Sequence, residues 1–144
     1  MVIAYAGDKV RFVSGAGVAV TAYIGVKGDA TLDNVVDAND ASAVLTFYAK
    51  TSTEEFDSSN TILSTSELAT TPSSVYDDFA AFLCDVKIEV SNKEQFSRYS
   101  KKTERLIDAI DASAILTYYA MASTEQYGQM SKEEPSKLWS LVID

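Results

Sequence analysis

Asp29, Thr31, Asp33, Val35, Asp37 and Asp40 fall at positions 1, 3, 5, 7, 9 and 12 of one twelve-residue segment. Asp29, Asp33 and Asp40 offer carboxylates, Thr31 a hydroxyl, Val35 its backbone carbonyl, and Asp37 a direct or water-bridged contact. Hard oxygen donors at this spacing wrap Ca²⁺. The segment has no His or Cys, the softer ligands that zinc prefers. Position 6 of such a loop needs a positive φ and is usually Gly. Asn34 stands there, and Asn is the next most tolerant residue. Val36, at position 8, is expected to tuck toward the core. The alternative is a polar turn that caps a helix, with Asp40 as the N-cap.

The end of this segment recurs. Asp37 to Phe56, DANDASAVLTFYAKTSTEEF, returns 71 residues later at Asp108 to Tyr127 as DAIDASAILTYYAMASTEQY, with 13 of 20 positions identical. Such self-similarity means two copies of one unit, each an Asp-x-x-Asp step running directly into an apolar helix. Counting back from Asp111 in the register of Asp40 puts Ser100, Lys102 and Glu104 at the front of the second loop, a poor calcium set. Asp85-Val86-Lys87-Ile88-Glu89 instead repeats the pattern of Asp29-Ala30-Thr31-Leu32-Asp33. Loop two therefore reads as interrupted. Asp85, Lys87 and Glu89 form its front, about fifteen residues are inserted over 90–105, and Leu106, Asp108 and Asp111 form its back. Lys87 cannot ligate through its side chain, so the site has fewer donors or uses water. In the alternative, loop two holds no ion and Arg105 or Lys102 neutralises its acids.

The elements that must position these loops follow from periodicity. Ala41 to Lys50 is expected to be helical, with Ala43, Val44, Phe47 and Tyr48 as its buried stripe, and the second copy gives a helix from about Ala112 to Met121. Residues 2–27 read as strands: Val18, Val20, Ala22, Ile24 and Val26 alternate with Ala19, Thr21, Tyr23 and Gly25, and Lys9 to Val13 is a second short run. A polar connector over 51–74 has Ile62, Leu63 and Leu68 as its few anchors. Ser73 or Ser74 then starts a helix whose face is Val75, Phe79, Phe82 and Leu83. Lys93 to Arg105 is an amphipathic piece. Trp139 is expected to pack back on the body.

Composition narrows the partners. The formal net charge is −9 with no His, which disfavours nucleic acid and anionic membrane surfaces, because both call for a basic stripe. It suits cations, and two Ca²⁺ ions would offset part of it. Lone Cys84 lies in an apolar run and reads as buried packing. No stretch reaches the length of a membrane span, and Met1 to Phe12 lacks a signal-peptide pattern, so a secretion signal would lie upstream. With the acids claimed by ion loops, no His and no cluster of Trp and Tyr, catalysis has little to stand on.

Two loop-helix units with no helix in front of either loop resemble the dockerin, the plug module that attaches cellulosomal proteins to cohesin sockets on scaffoldins. The resemblance is carried by GDATLDNVVDANDASAVLTFYA and LIDAIDASAILTYYA, over 28–50 and 106–121. The long spacing, with YIGVKGD, VYDDFAAFLCDVK and EPSKLW around it, is similar to the divergent X-module and dockerin pairs of rumen Ruminococcus cellulosomes. The resemblance implies a mainly α fold: a pair of calcium-loop and helix units over 28–144, with insertions at about 51–74 and 90–105. Residues 1–27 would be the β end of an X-module. It implies two Ca²⁺ ions, an extracellular cell-surface setting in polysaccharide degradation, and a chain that stays monomeric until it meets cohesin. The partner face would be Ala38, Asn39, Ser42, Leu45, Thr46, Ala49 and Lys50 on the first helix, and Ala109, Ile110, Ser113, Leu116, Thr117, Ala120 and Met121 on the second. Leu45 and Leu116 could serve core or interface. The differences between the halves, Asn39 against Ile110 and Lys50 against Met121, predict a single binding orientation. The rival is an EF-hand regulatory or buffering domain. A sensor needs a helix on both sides of each loop, and the segment before Asp29 reads as strand.

Overall fold

A computed structural model describes residues 9–14, 21–87 and 102–143. Two strands, β1 (Lys9–Ser14) and β2 (Thr21–Val26), pair antiparallel, with Lys9 opposite Val26 and Ser14 opposite Thr21. The other strand residues expected over 2–27 lie outside the described set, as do Glu89 and most of the amphipathic piece from Lys93. Five helices follow: α1 (Ala38–Thr51), α2 (Val75–Cys84), α3 (Ala109–Ala122), α4 (Glu125–Glu133) and α5 (Pro135–Ile143). A short 3₁₀ turn, Lys102–Glu104, precedes α3. The fold is mainly α.

Both repeat helices start three residues before their apolar stripes. Asp37 and Asp108 are the N-caps, each accepting from the N–H two residues on at 2.9 Å. Asp40 and Asp111 complete capping boxes from position N3, so Asp40 is not the N-cap. Ser74 caps α2, Thr124 caps α4, and Pro135 opens α5, where its missing N–H costs nothing.

The core forms where α1 and α3 pack on each other and α5 closes over α3. Equivalent positions of the repeat are buried alike: Ala41 and Ala112, Val44 and Ile115, Phe47 and Tyr118. Tyr48, expected in the stripe, is 40% exposed, and its counterpart Tyr119 also faces out. A stripe of Ala, Val and Phe already fills the seam, and the next residue round the helix turns to solvent. Trp139 is buried and stacks on Tyr118 with ring centroids 4.1 Å apart. Lone Cys84 is buried, as free Cys usually is.

Two further expectations are corrected. Of the connector's three apolar anchors, only Leu63 is buried; Ile62 and Leu68 are exposed. Polar groups hold this segment instead, through Thr61, Ser64 and the Asp77–Lys102 pair. Second, loop two does have a helix in front of it, because α2 ends at Cys84, immediately before Asp85. Loop one is preceded by β2. No helix of the described residues is long and apolar enough to cross a membrane.

Candidate functional site

Loop one is built around two buried carboxylates. Asp29 accepts from Asn34 N at 2.8 Å, Asp33 N at 3.2 Å and Thr31 Oγ1 at 3.3 Å. Asp40 accepts from Thr31 N at 3.0 Å and Asp37 N at 2.8 Å, and shares the single Thr31 hydroxyl proton with Asp29 at 3.1 Å. The backbone must turn sharply to aim these N–H groups inward. Asn34 has φ 66°, as position 6 demands, and Leu32 has φ 58°. A left-handed Leu is uncommon. It is held by packing beside Phe79 and Leu83, a signal that periodicity alone does not carry. Val36 packs against the core.

Gly28 fixes where the loop begins. Its φ is +91°, its N–H donates to Leu83 O at 2.7 Å, and a Cβ there would sit 2.8 Å from Trp139 Cζ2. Only Gly fits between β2, the end of α2 and the Trp139 ring.

One carboxylate oxygen from each of Asp29, Asp33 and Asp40 lies within 4.8 Å of the others, a set that can hold a metal ion. Burial pushes the Asp29 carboxyl up to about 7, with the charges of Asp40 and Asp33 adding to it and N–H donors, chiefly that of Asn34, opposing it. Asp40 is raised too, first by burial. Among the described residues no Lys or Arg forms an ion pair with these acids. Each carboxylate keeps lone pairs beyond those its N–H donors use. A divalent cation would supply the missing charge, and an all-oxygen donor set suits Ca²⁺ or Mg²⁺ over zinc. Val35 and Asp37 lie on the same loop, but they are not part of the three-carboxylate cluster.

Loop two reproduces the frame across its insertion. Lys87 N donates to Asp111 at 3.1 Å, as Thr31 N does to Asp40, and Asp108 N donates to Asp111 at 3.1 Å, as Asp37 N does to Asp40. The first bond spans 9 residues in loop one and 24 in loop two, which places Lys87 with Thr31 and Asp111 with Asp40. Leu106 is exposed, like Val35. Burial pushes Asp111 up to about 8, with the charges of Asp85 and Asp108 adding to it against the two N–H donors. The difference lies at position 1: Arg105 Nη1 donates to Asp85 at 3.2 Å, and both side chains are 2% exposed. Arg105 also stands over the Phe82 ring at 5.4 Å.

The sequence offers a second cation, Lys102, only as an alternative neutraliser of loop two. Lys102 instead pairs with Asp77 and donates to Thr61 O at 2.6 Å and Pro72 O at 2.7 Å, while its backbone N–H reaches Asp78. Asp77 also accepts from Leu63 N and Ser64 N, and the Ser64 hydroxyl donates to Ala30 O at 2.6 Å. This knot ties the connector, α2 and the end of the insertion to loop one. Its sequence signal was a Lys in a polar stretch, which looks the same as a solvated one.

The residues expected to meet a partner are exposed on α1 and α3, apart from Met121, which is half-buried against the core. Leu45 and Leu116 are 46% and 47% exposed, so both belong to the outer faces. On α1, Asn39, Ser42, Thr46 and Lys50 line a groove of about 440 Å³ walled by Ile62, Leu63, Ser64 and Thr65 of the connector. Compared with models of known protein families and with curated proteins, the chain matches none.

Proposed function

We propose that this chain is a calcium-dependent docking module of the dockerin type, which plugs its parent protein into a cohesin on a cell-surface scaffoldin. One observation carries the reading: a duplicated loop-helix unit whose two helices pack on each other and turn equivalent residues to solvent. Ca²⁺ in loop one would be held by Asp29, Asp33 and Asp40, with Thr31, the Val35 carbonyl and Asp37 completing the shell. Holding the loop fixes the start of α1, and a preformed face binds at lower entropic cost.

The docking face consists of Asn39, Ser42, Leu45 and Thr46 on α1 and Ile110, Ser113, Leu116 and Thr117 on α3. The connector wall beside α1 supports a single orientation, because it borders Asn39 and Thr46. The α3 half then supplies the more apolar contact. The module has no catalytic role of its own and works outside the cell, as part of an assembly that degrades polysaccharide.

One observation favours the EF-hand reading: α2, loop two and α3 form a helix-loop-helix sequence. Loop one, preceded by β2, lacks the first helix that a sensor pair needs in order to open. The purified chain is tested against immobilised cohesins of cell-wall-anchored rumen scaffoldins, in Ca²⁺ and in chelator. Capture in Ca²⁺ that is lost in chelator supports the proposal. No capture by any cohesin, or capture indifferent to chelator, overturns it.

A further inference from the structure

We infer that loop two takes no calcium ion: Arg105 is its resident cation, so the chain binds one ion and docks its second half without metal. The inference rests on the calcium reading of loop one only for the number one.

The two loops share a backbone frame, so the equivalent of Asp29 is Asp85. In loop one the Asp29 carboxylate is met by donors of its own loop, from Thr31, Asp33 and Asn34. In loop two the Asp85 carboxylate is met by a guanidinium delivered from the far end of the insertion. Both partners are buried, where a single positive charge on a carboxylate is held far more strongly than at the surface. An ion entering this loop would have to lie beside that guanidinium or displace it. Like charges at contact distance disfavour the first.

Displacement is opposed by the covalent neighbourhood. Arg105 N donates to Lys102 O at 3.1 Å, closing a tight turn, and Lys102 three residues back is locked by Asp77, Asp78, Thr61 and Pro72. The backbone of Arg105 is anchored by this turn, so the guanidinium could leave only by rotating its own side chain, which would take a buried positive charge off Asp85. Position 3 adds to the misfit: Thr31 offers a hydroxyl, whereas Lys87 contributes its backbone N–H to Asp111 and a cationic side chain that cannot ligate. The described donors of loop two therefore do not fit calcium, and Arg105 supplies one of the two positive charges that the ion would have brought.

The test is an ion count by native mass spectrometry on the full chain in millimolar Ca²⁺, for the natural sequence and for Asp29→Asn combined with Asp33→Asn. One ion on the first and none on the second is expected. Two ions on the natural chain, or one retained by the loop-one variant, overturns the inference. Hydrogen exchange supplies the second readout. Chelation should speed exchange of amides in 38–51 at least tenfold and leave 109–122 within about twofold. Equal loss of protection in both helices overturns the inference. Absence of any ion on either chain would remove the calcium reading of loop one, while still upholding the assignment of loop two.

Discussion

In loop one, twelve residues bring Asp29, Asp33 and Asp40 together, and no Lys or Arg of the described residues pairs with them. In loop two, the same backbone bonds reach across an insertion of fifteen more residues, and Arg105 stands on Asp85. The pair shows that a duplicated frame of capping box and back-bonded N–H survives a large insertion, while its charge balance is free to change. One copy leaves negative charge for an external cation, and the other carries its own. The difference should appear as two kinds of stability, one set by calcium and one written into the chain.

The largest break in that comparison is expected at Lys102. Lys102→Met removes the charge that faces buried Asp77 and leaves the carbonyls of Thr61 and Pro72 without their ammonium donor. Losing one partner of a buried pair costs about 3–5 kcal/mol, and urea unfolding should show that loss equally with and without Ca²⁺. A loss that appears only in Ca²⁺ would mean that the knot serves loop one rather than the second half. Calcium itself comes next. Ligand at a hundred times its dissociation constant adds about 2.7 kcal/mol for one site. Asp40→Asn should abolish that increment, whereas Asp111→Asn should leave it in place. If the Asp111 variant loses it too, the two loops are not independent.

At the proposed docking face the halves should again be unequal. Ile110→Ala with Leu116→Ala is expected to weaken cohesin binding by about 2 kcal/mol or more, because central apolar anchors dominate such interfaces. Asn39→Ala with Thr46→Ala should cost less than about 1 kcal/mol. Comparable losses by calorimetry would defeat the single-orientation reading.

Much of this was readable before the structure. The repeat, the clustering of Asp29, Asp33 and Asp40, the positive φ of Asn34 and the packing of Trp139 all follow from residue type and spacing. Even the interrupted register of loop two came from matching Asp85 and Lys87 to Asp29 and Thr31. What the sequence hid were choices made by tertiary context. Arg105 is open in the sequence as a neutraliser of loop two, and the structure sets it on Asp85; Lys102 lies in a polar run where a buried cation and a solvated one look alike. Tyr48 completes a helical stripe on paper, yet the seam between α1 and α3 is already filled. The helix before loop two is visible in Val75, Phe79 and Leu83, but its end at Cys84, directly before Asp85, is set by the structure.

The pH dependence distinguishes the loops further. Burial raises the Asp29 carboxyl to about 7 and Asp111 to about 8, each above the ordinary value near 4. A raised carboxyl means that the folded chain holds more protons than the unfolded one across that window. The contribution of these groups to stability in chelator is therefore fully present at low pH and is lost as pH rises from about 4 toward 8. Calcium should flatten the part owed to loop one, because the ion competes with the proton for Asp29 and Asp40, and should leave the part owed to Asp111. Thermal melts from pH 5 to 8, with and without Ca²⁺, read both parts. A complete flattening by calcium would place an ion against Asp111.

The smallest effect is expected at Asn34. Its φ of 66° lies in the left-handed region, where Gly carries no Cβ penalty and Asn carries a modest one. Asn34 is exposed and donates only its backbone N–H to Asp29 in the described bonds, so Asn34→Gly keeps the Asp29 contact. The exchange relieves strain in the folded loop but also frees the unfolded chain, and the two largely cancel. A change within about 1 kcal/mol is expected in chelator, with calcium affinity held or slightly raised. The same exchange at Leu32, φ 58°, should behave differently, because Leu32 packs beside Phe79 and Leu83. There the lost burial, about 1.5–3 kcal/mol for a full Leu side chain, outweighs the relief. Two left-handed residues in one loop would then give opposite answers to the same substitution, one governed by backbone and the other by packing. If both variants melt together, the turn rather than the apolar contact sets the shape of loop one.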